Sequence, residues 1–137
     1  MQNIFPPVPF SEPNENGVFI SAVKHTIYEH KRVKAEVRLA RSPAGYHCGY
    51  DYWMPNNGGC GGPSTCSHHP TQYEAETAAL EYIKRFFSSS FDTNQEKDHA
   101  KKAIAAIDKL LNTHRNTALE QVLAEIAALE AQLKKAA

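Results

Sequence analysis

The hydrophobic period changes at Pro70, and that switch restricts the chain to a sheet followed by helices. Apolar residues recur at every second position over residues 32–40; beyond Pro70 they recur at intervals of three and four. Over residues 32–40, Val33, Ala35, Val37 and Leu39 share one face, while Lys34, Glu36 and Arg38 share the other. That is the pattern of a strand in an antiparallel sheet with one face open to water. An earlier β-branched and aromatic run at residues 17–28 predicts a strand beside it. Residues 41–45 have turn chemistry, with Pro43 able to preset a central position and Gly45 free to take positive φ. The turn leads into a third strand at residues 46–54, on which Tyr46, Cys48, Tyr50, Tyr52 and Met54 share one face and His47, Gly49, Asp51 and Trp53 the other.

Beyond Pro70, Thr71 and Glu74 stand at capping-box spacing. Ala75, Ala78, Ala79, Tyr82, Ile83, Phe86 and Phe87 then form a stripe that predicts a helix lying over the sheet, ended by Ser88, Ser89 and Ser90. A second start falls at Asp92 or Thr93, with Gln95 or Glu96 three positions on, and Ala100, Ile104, Ile107 and Leu111 follow. A third start near Thr117, paired with Glu120, precedes Leu119, Val122, Ile126, Leu129 and Leu133 at coiled-coil spacing. The connection at residues 113–117 suits an antiparallel helical hairpin whose two stripes consume each other, with a homodimer seam as the alternative use of such a stripe. The expectation is one α+β domain over residues 1–137: a three-stranded antiparallel sheet covered by one helix at residues 18–91, then a C-terminal helical hairpin at residues 92–137.

Residues 1–17 carry Pro6, Pro7, Pro9 and Pro13, which forbid a regular helix or a central strand. Ile4, Phe5, Val8 and Phe10 are too apolar for a solvated tail. An extended arm packed on its own domain, or on a neighbour, is expected.

Lys and Arg number 15, as do Asp and Glu, so no overall field attracts nucleic acid or an anionic membrane. Charge is nevertheless uneven, because Lys24, Lys31, Arg32, Lys34, Arg38 and Arg41 face only Glu29 and Glu36 in their stretch. Three cysteines cannot all pair within one chain, the N-terminus lacks signal-peptide character, and no apolar run approaches the roughly 18 residues of a membrane span. A cytoplasmic protein with reduced thiols and no membrane partner is expected.

Residues 45–70 are chemically unlike their surroundings, gathering aromatics, glycines and all three cysteines. Their second half, residues 55–70, reads as a long irregular loop. Cys48, Cys60, Cys66 and His68, with His47 and His69 nearby, are the residue types that hold zinc. No C-x₂-C or H-x₃-H pair starts such a site, so buried small cysteines and polar loop histidines are the simpler reading. A thiol enzyme would need Cys, His and an orienting group such as Asp51 to meet, and no spacing assigns those roles. The P-loop, G-x-G-x-x-G, H-E-x-x-H and zinc-deaminase patterns are absent. No catalytic residue is assigned, and a non-enzymatic protein is expected.

Two binding readings remain. Lys34 and Arg38 beside Tyr46, Tyr50, Tyr52 and Trp53 could hold single-stranded nucleic acid by charge and stacking, although Glu36 interrupts the basic face. Those six with Met54 are also the residue types that dominate protein interfaces. Packing of the rings beneath the first helix is the competing structural account.

The run from Ser42-Pro43-Ala44-Gly45-Tyr46 to Gly61-Gly62-Pro63-Ser64, followed by Tyr73-Glu74-Ala75-Glu76-Thr77-Ala78, resembles uncharacterised sheet-and-helix modules of phage and plasmid proteins. The resemblance covers less than half of the chain. It implies a mobile-element origin and an inhibitor or adaptor that occludes a host protein, as anti-CRISPR proteins do. No functional residue carries across.

Overall fold

A computed structural model describes residues 3–136, apart from the side chains of residues 114–118. The architecture is α+β. Four strands, β1 (Val23–His30), β2 (Val33–Ser42), β3 (Gly45–Met54) and β4 (Asn57–Gly61), precede two helices, α1 (Gln72–Phe87) and α2 (Asn94–Ala136). The strands form one antiparallel meander in the order β1-β2-β3-β4.

The alternation in β2 does what its sequence dictates. Val33, Ala35, Val37 and Leu39 are buried and form one core with Ala79, Leu80, Ile83 and Phe87 of α1 and Ala100, Ala103, Ile107 and Leu111 of α2. Thr71 caps α1 by accepting from the Glu74 amide at 3.2 Å, and Thr93 does the same for Glu96 at 3.1 Å ahead of α2.

The sheet has a fourth strand where a loop was expected. Pro55 and Asn56 make a two-residue turn that pairs Met54 with Asn57, and the ladder continues to Tyr50 opposite Gly61. Glycine carries no side chain to alternate, so this strand leaves no period-two signal. The first strand is also later than expected. Residues 17–22 lie outside it: Val18 bridges Ser64, and the Phe19 amide donates to the Pro63 carbonyl at 3.0 Å. Within β1 a bulge falls between Thr26 and Tyr28.

A single helix replaces the expected C-terminal hairpin. Backbone helix runs unbroken from Asn94 to Ala136, because residues 113–117 contain neither Gly nor Pro to break the ladder. Thr113 fits inside it by donating its hydroxyl to the Lys109 carbonyl at 2.7 Å. The capping role expected of Thr117 falls among the side chains outside the described ones. Leu119, Val122, Leu123, Ile126, Leu129 and Leu133 are consequently exposed.

The N-terminal arm lies on its own chain. Glu76, with no exposed surface, accepts from the amides of Ile4 at 2.9 Å and Phe5 at 2.8 Å. Gln72 accepts from the Val8 amide at 3.0 Å and donates to the Pro6 carbonyl at 2.9 Å. A proline-rich arm cannot satisfy its amides by pairing regularly, and these two side chains do it instead. No helix among the described residues is long and apolar enough to cross a membrane.

Candidate functional site

The β3–β4 hairpin is built from rings and glycines in register. Trp53 stands opposite Gly58, Tyr52 opposite Gly59 and Tyr50 opposite Gly61. A Cβ on Gly58 would lie 2.5 Å from Trp53 Cε3 and 2.5 Å from the Tyr52 carbonyl oxygen; one on Gly59 would lie 2.9 Å from Tyr52 Oη. The rings of β3 therefore cover the bare backbone of β4, the arrangement by which aromatics compensate edge glycines. β4 ends the sheet, and no described strand pairs with its outer side.

The two faces of the hairpin differ. On the helix side Tyr82 of α1 stacks on Tyr50 with ring centroids 4.0 Å apart and planes 13° from parallel, while Tyr52 packs on Phe86 at 4.4 Å. Burial and the hydrogen bond to Tyr82 push the Tyr50 hydroxyl up to about 12. The Tyr52 hydroxyl is likewise raised, first by its bond to Tyr82. Tyr82 is lowered, because both neighbours donate to its oxygen.

On the opposite side an ion cluster replaces a free basic surface. Lys34 Nζ lies 3.4 Å from Glu36 Oε1 and 3.1 Å from Asp51 Oδ2; Arg38 reaches Glu36 Oε2 at 2.9 Å and Asp51 Oδ2 at 3.2 Å. The hydrogen bond to Asp51 is the main cause of a raised Lys34 ammonium. Trp53 Nε1 donates to Asp51 Oδ1, while 44% of the residue's surface remains exposed.

The seven predicted partner-binding residues are thus divided. Trp53, Lys34 and Arg38 share the outer face; Tyr50 and Tyr52 lie half-buried on the helix side. Tyr46 is at the far end of β3, where it exchanges backbone hydrogen bonds with His69 and lies beneath the Arg41 guanidinium at 5.1 Å. Met54 is not at the surface: it is buried in the core, as expected of the residue that closes the β3–β4 turn beneath the helices. Missing from that prediction are Asp51 as a counter-ion, Tyr82 as an exposed ring, and the glycines of β4. The available signal for the last of these was glycines at 58, 59 and 61 following Trp53, Tyr52 and Tyr50 by five, seven and eleven positions across a turn at Pro55 and Asn56.

The four candidate zinc ligands do not converge. Cys48 lies on the helix side of β3, its thiol pushed up by burial and its Sγ 3.8 Å from His69 Nε2. Cys60 is exposed on β4 opposite Asp51, and Cys66 and His68 are exposed in the following loop. No group of three or more metal-ligating side chains occurs among the described residues.

His47 instead ties that loop down. Its Nδ1 lies 3.0 Å from the Ser64 carbonyl and 2.8 Å from that of Ser67, so Nδ1 carries the proton and Nε2 accepts from the Ser42 hydroxyl at 2.7 Å. A Ser–His contact of this length is what nucleophile activation requires. Here His47 is 1% exposed and packs against buried Phe19, with ring centroids 4.6 Å apart. A separate cleft of about 360 Å³ lies between the β1–β2 turn and the start of α2, lined by His30, Arg32, Asn56, Glu96 and His99 among others.

No family model, no curated protein and no solved structure matches the chain.

Proposed function

We propose that this chain is a non-enzymatic protein-binding inhibitor or adaptor that docks an extended segment of its target along β4. The observation that carries this reading is the open outer edge of a glycine-rich strand, flanked by exposed Trp53 on one face and Tyr82 on the other. Addition of a strand to such an edge draws affinity from main-chain hydrogen bonds and selectivity from flanking side chains. Glycines leave the approach unobstructed. The resemblance to phage and plasmid modules supplies the class of target, a host protein occluded by the bound module.

The nucleic-acid reading is the weaker one. Lys34 and Arg38 are both spent on Glu36 and Asp51, so the outer face offers two cations already matched by two carboxylates. Phosphates would have to displace partners held at hydrogen-bond distance.

Affinity capture from a bacterial lysate, run in parallel with wild type, Trp53→Ala and Cys60→Lys, tests the proposal. Lysine on an edge strand opposes further pairing without touching the core. The expected result is a protein held by wild type and lost from both variants. Retention by both variants would overturn the assignment of this edge.

A further inference from the structure

We propose that the distal half of α2 is a self-association seam through which two copies of the chain pair as an antiparallel coiled coil. Leu119, Val122, Ile126, Leu129 and Leu133 follow one another at intervals of three, four, three and four, and each is about half exposed or more. None of them is covered by the sheet or by α1. Ala124, Ala127, Ala128 and Ala131 occupy the remaining faces and favour helix intrinsically. A helical segment of this length is marginal in water without an apolar face buried against a partner.

Charge selects both the occupant and its direction. In the heptad with Leu119, Ile126 and Leu133 at a and Val122 and Leu129 at d, Glu125 falls at g and Glu130 at e. Parallel copies would set Glu125 of each against Glu130 of the other, two like-charge contacts flanking the centre of the seam. Antiparallel copies avoid both. With Ile126 opposite Leu129 of the second copy, Val122 meets Leu133 and Leu119 meets Ala136, so every large apolar side chain of the seam finds an apolar partner. Glu125 then lies beside Gln132, and Glu130 beside Leu123, of the second copy. The acidic start at Glu120 comes level with the basic end at Lys134 and Lys135. The stripe is therefore complementary to itself in one direction only, as an isologous twofold interface requires. The pairing goes beyond the docking edge, which it leaves free at both ends of the rod, and it makes the assembly bivalent.

Sedimentation of the full chain across a wide concentration range tests the seam. The expected mass is twice the 15.2 kDa of one chain. Ile126→Glu with Leu129→Glu should give single chains with the near-ultraviolet circular dichroism of wild type, and Val122→Ser with Leu133→Ser should do so independently. Glu130→Lys distinguishes direction: it leaves the antiparallel dissociation constant within about twofold, whereas it would tighten a parallel pair about tenfold by turning repulsion into attraction. Single chains at every concentration, a larger assembly, a dimer that survives both double variants, or tightening by Glu130→Lys would each overturn the proposal. None of these outcomes bears on β4, so the two proposals fail separately.

Discussion

Glu36 and Asp51 face each other directly across the β2–β3 ladder, both nearly buried, at 5% and 8% exposure. Like charges in that position repel. They are tolerated because Lys34 and Arg38 each contact both, which makes four side chains one unit and fixes the indole of Trp53 through Asp51.

Asp51→Ala removes the acceptor that Lys34, Arg38 and Trp53 share. We expect a loss of about 2 kcal/mol in urea unfolding and a red-shifted, more quenchable Trp53 emission. The variant also leaves the outer face with a surplus positive charge, so weak, salt-sensitive oligonucleotide binding should appear in it and not in wild type.

Alanine substitutions along β4 should rank by the space that each ring leaves. Gly58→Ala meets the fixed Tyr52 carbonyl and the Trp53 ring, at an expected cost of about 1–3 kcal/mol. Gly59→Ala meets the movable end of Tyr52 and costs less, and Gly61→Ala, 3.3 Å from the Tyr50 ring, costs least. Thermal melts give the order; Trp53 emission should change only in the first.

Glu76→Ala unties the N-terminal arm by removing the acceptor for two main-chain amides and for Gln72. A loss of about 2–3 kcal/mol is expected. Limited proteolysis should cut within residues 3–10 of the variant and spare them in wild type.

His25 gives the arm an acid limit. Its ring stacks on Phe5 with centroids 4.2 Å apart, its Nε2 is buried without a partner, and burial lowers the imidazole below its ordinary value against the opposing pull of the Glu76 carboxylate. The folded chain binds the proton less readily than the unfolded one, so stability is complete above about pH 6.5 and declines as pH falls below it. Denaturant midpoints between about pH 7.5 and about pH 5 should show that decline in wild type and a flatter profile in His25→Phe.

The tyrosine trio sets an alkaline limit of opposite sign. The Tyr50 hydroxyl, at about 12, holds its proton longer in the folded chain than in the unfolded chain. Its contribution is fully present below about pH 10 and is lost as pH rises toward 12. Absorbance titration should show the Tyr50 and Tyr52 phenols titrating late, and Tyr82→Phe should bring both back toward the ordinary range.

The sequence made the apolar face of β2, the turn at Gly45, the Thr71 cap and the distal stripe of α2 legible, because each rests on local periodicity or local hydrogen bonding. β4 was hidden because glycines carry no alternation; its rings belong to the neighbouring strand. Gln72 and Glu76 sit on the same helical stripe as Ala79 and Ile83, yet polar residues on a stripe read as solvated until the arm that uses them is in place. Lys34 and Arg38 read as a basic surface for a related reason: Asp51 pairs with them only across the ladder, and a strand-by-strand reading assigns it no partner.

Residue-resolved amide exchange over Asn57–Gly61 tests the docking edge most directly. In the free chain, alternate β4 amides should exchange nearly as fast as unstructured ones, while those of β2 are strongly protected; adding the protein captured by wild type should slow the fast set. Uniform protection of β4 in the free chain, or unchanged exchange in the complex, would contradict a strand-addition site.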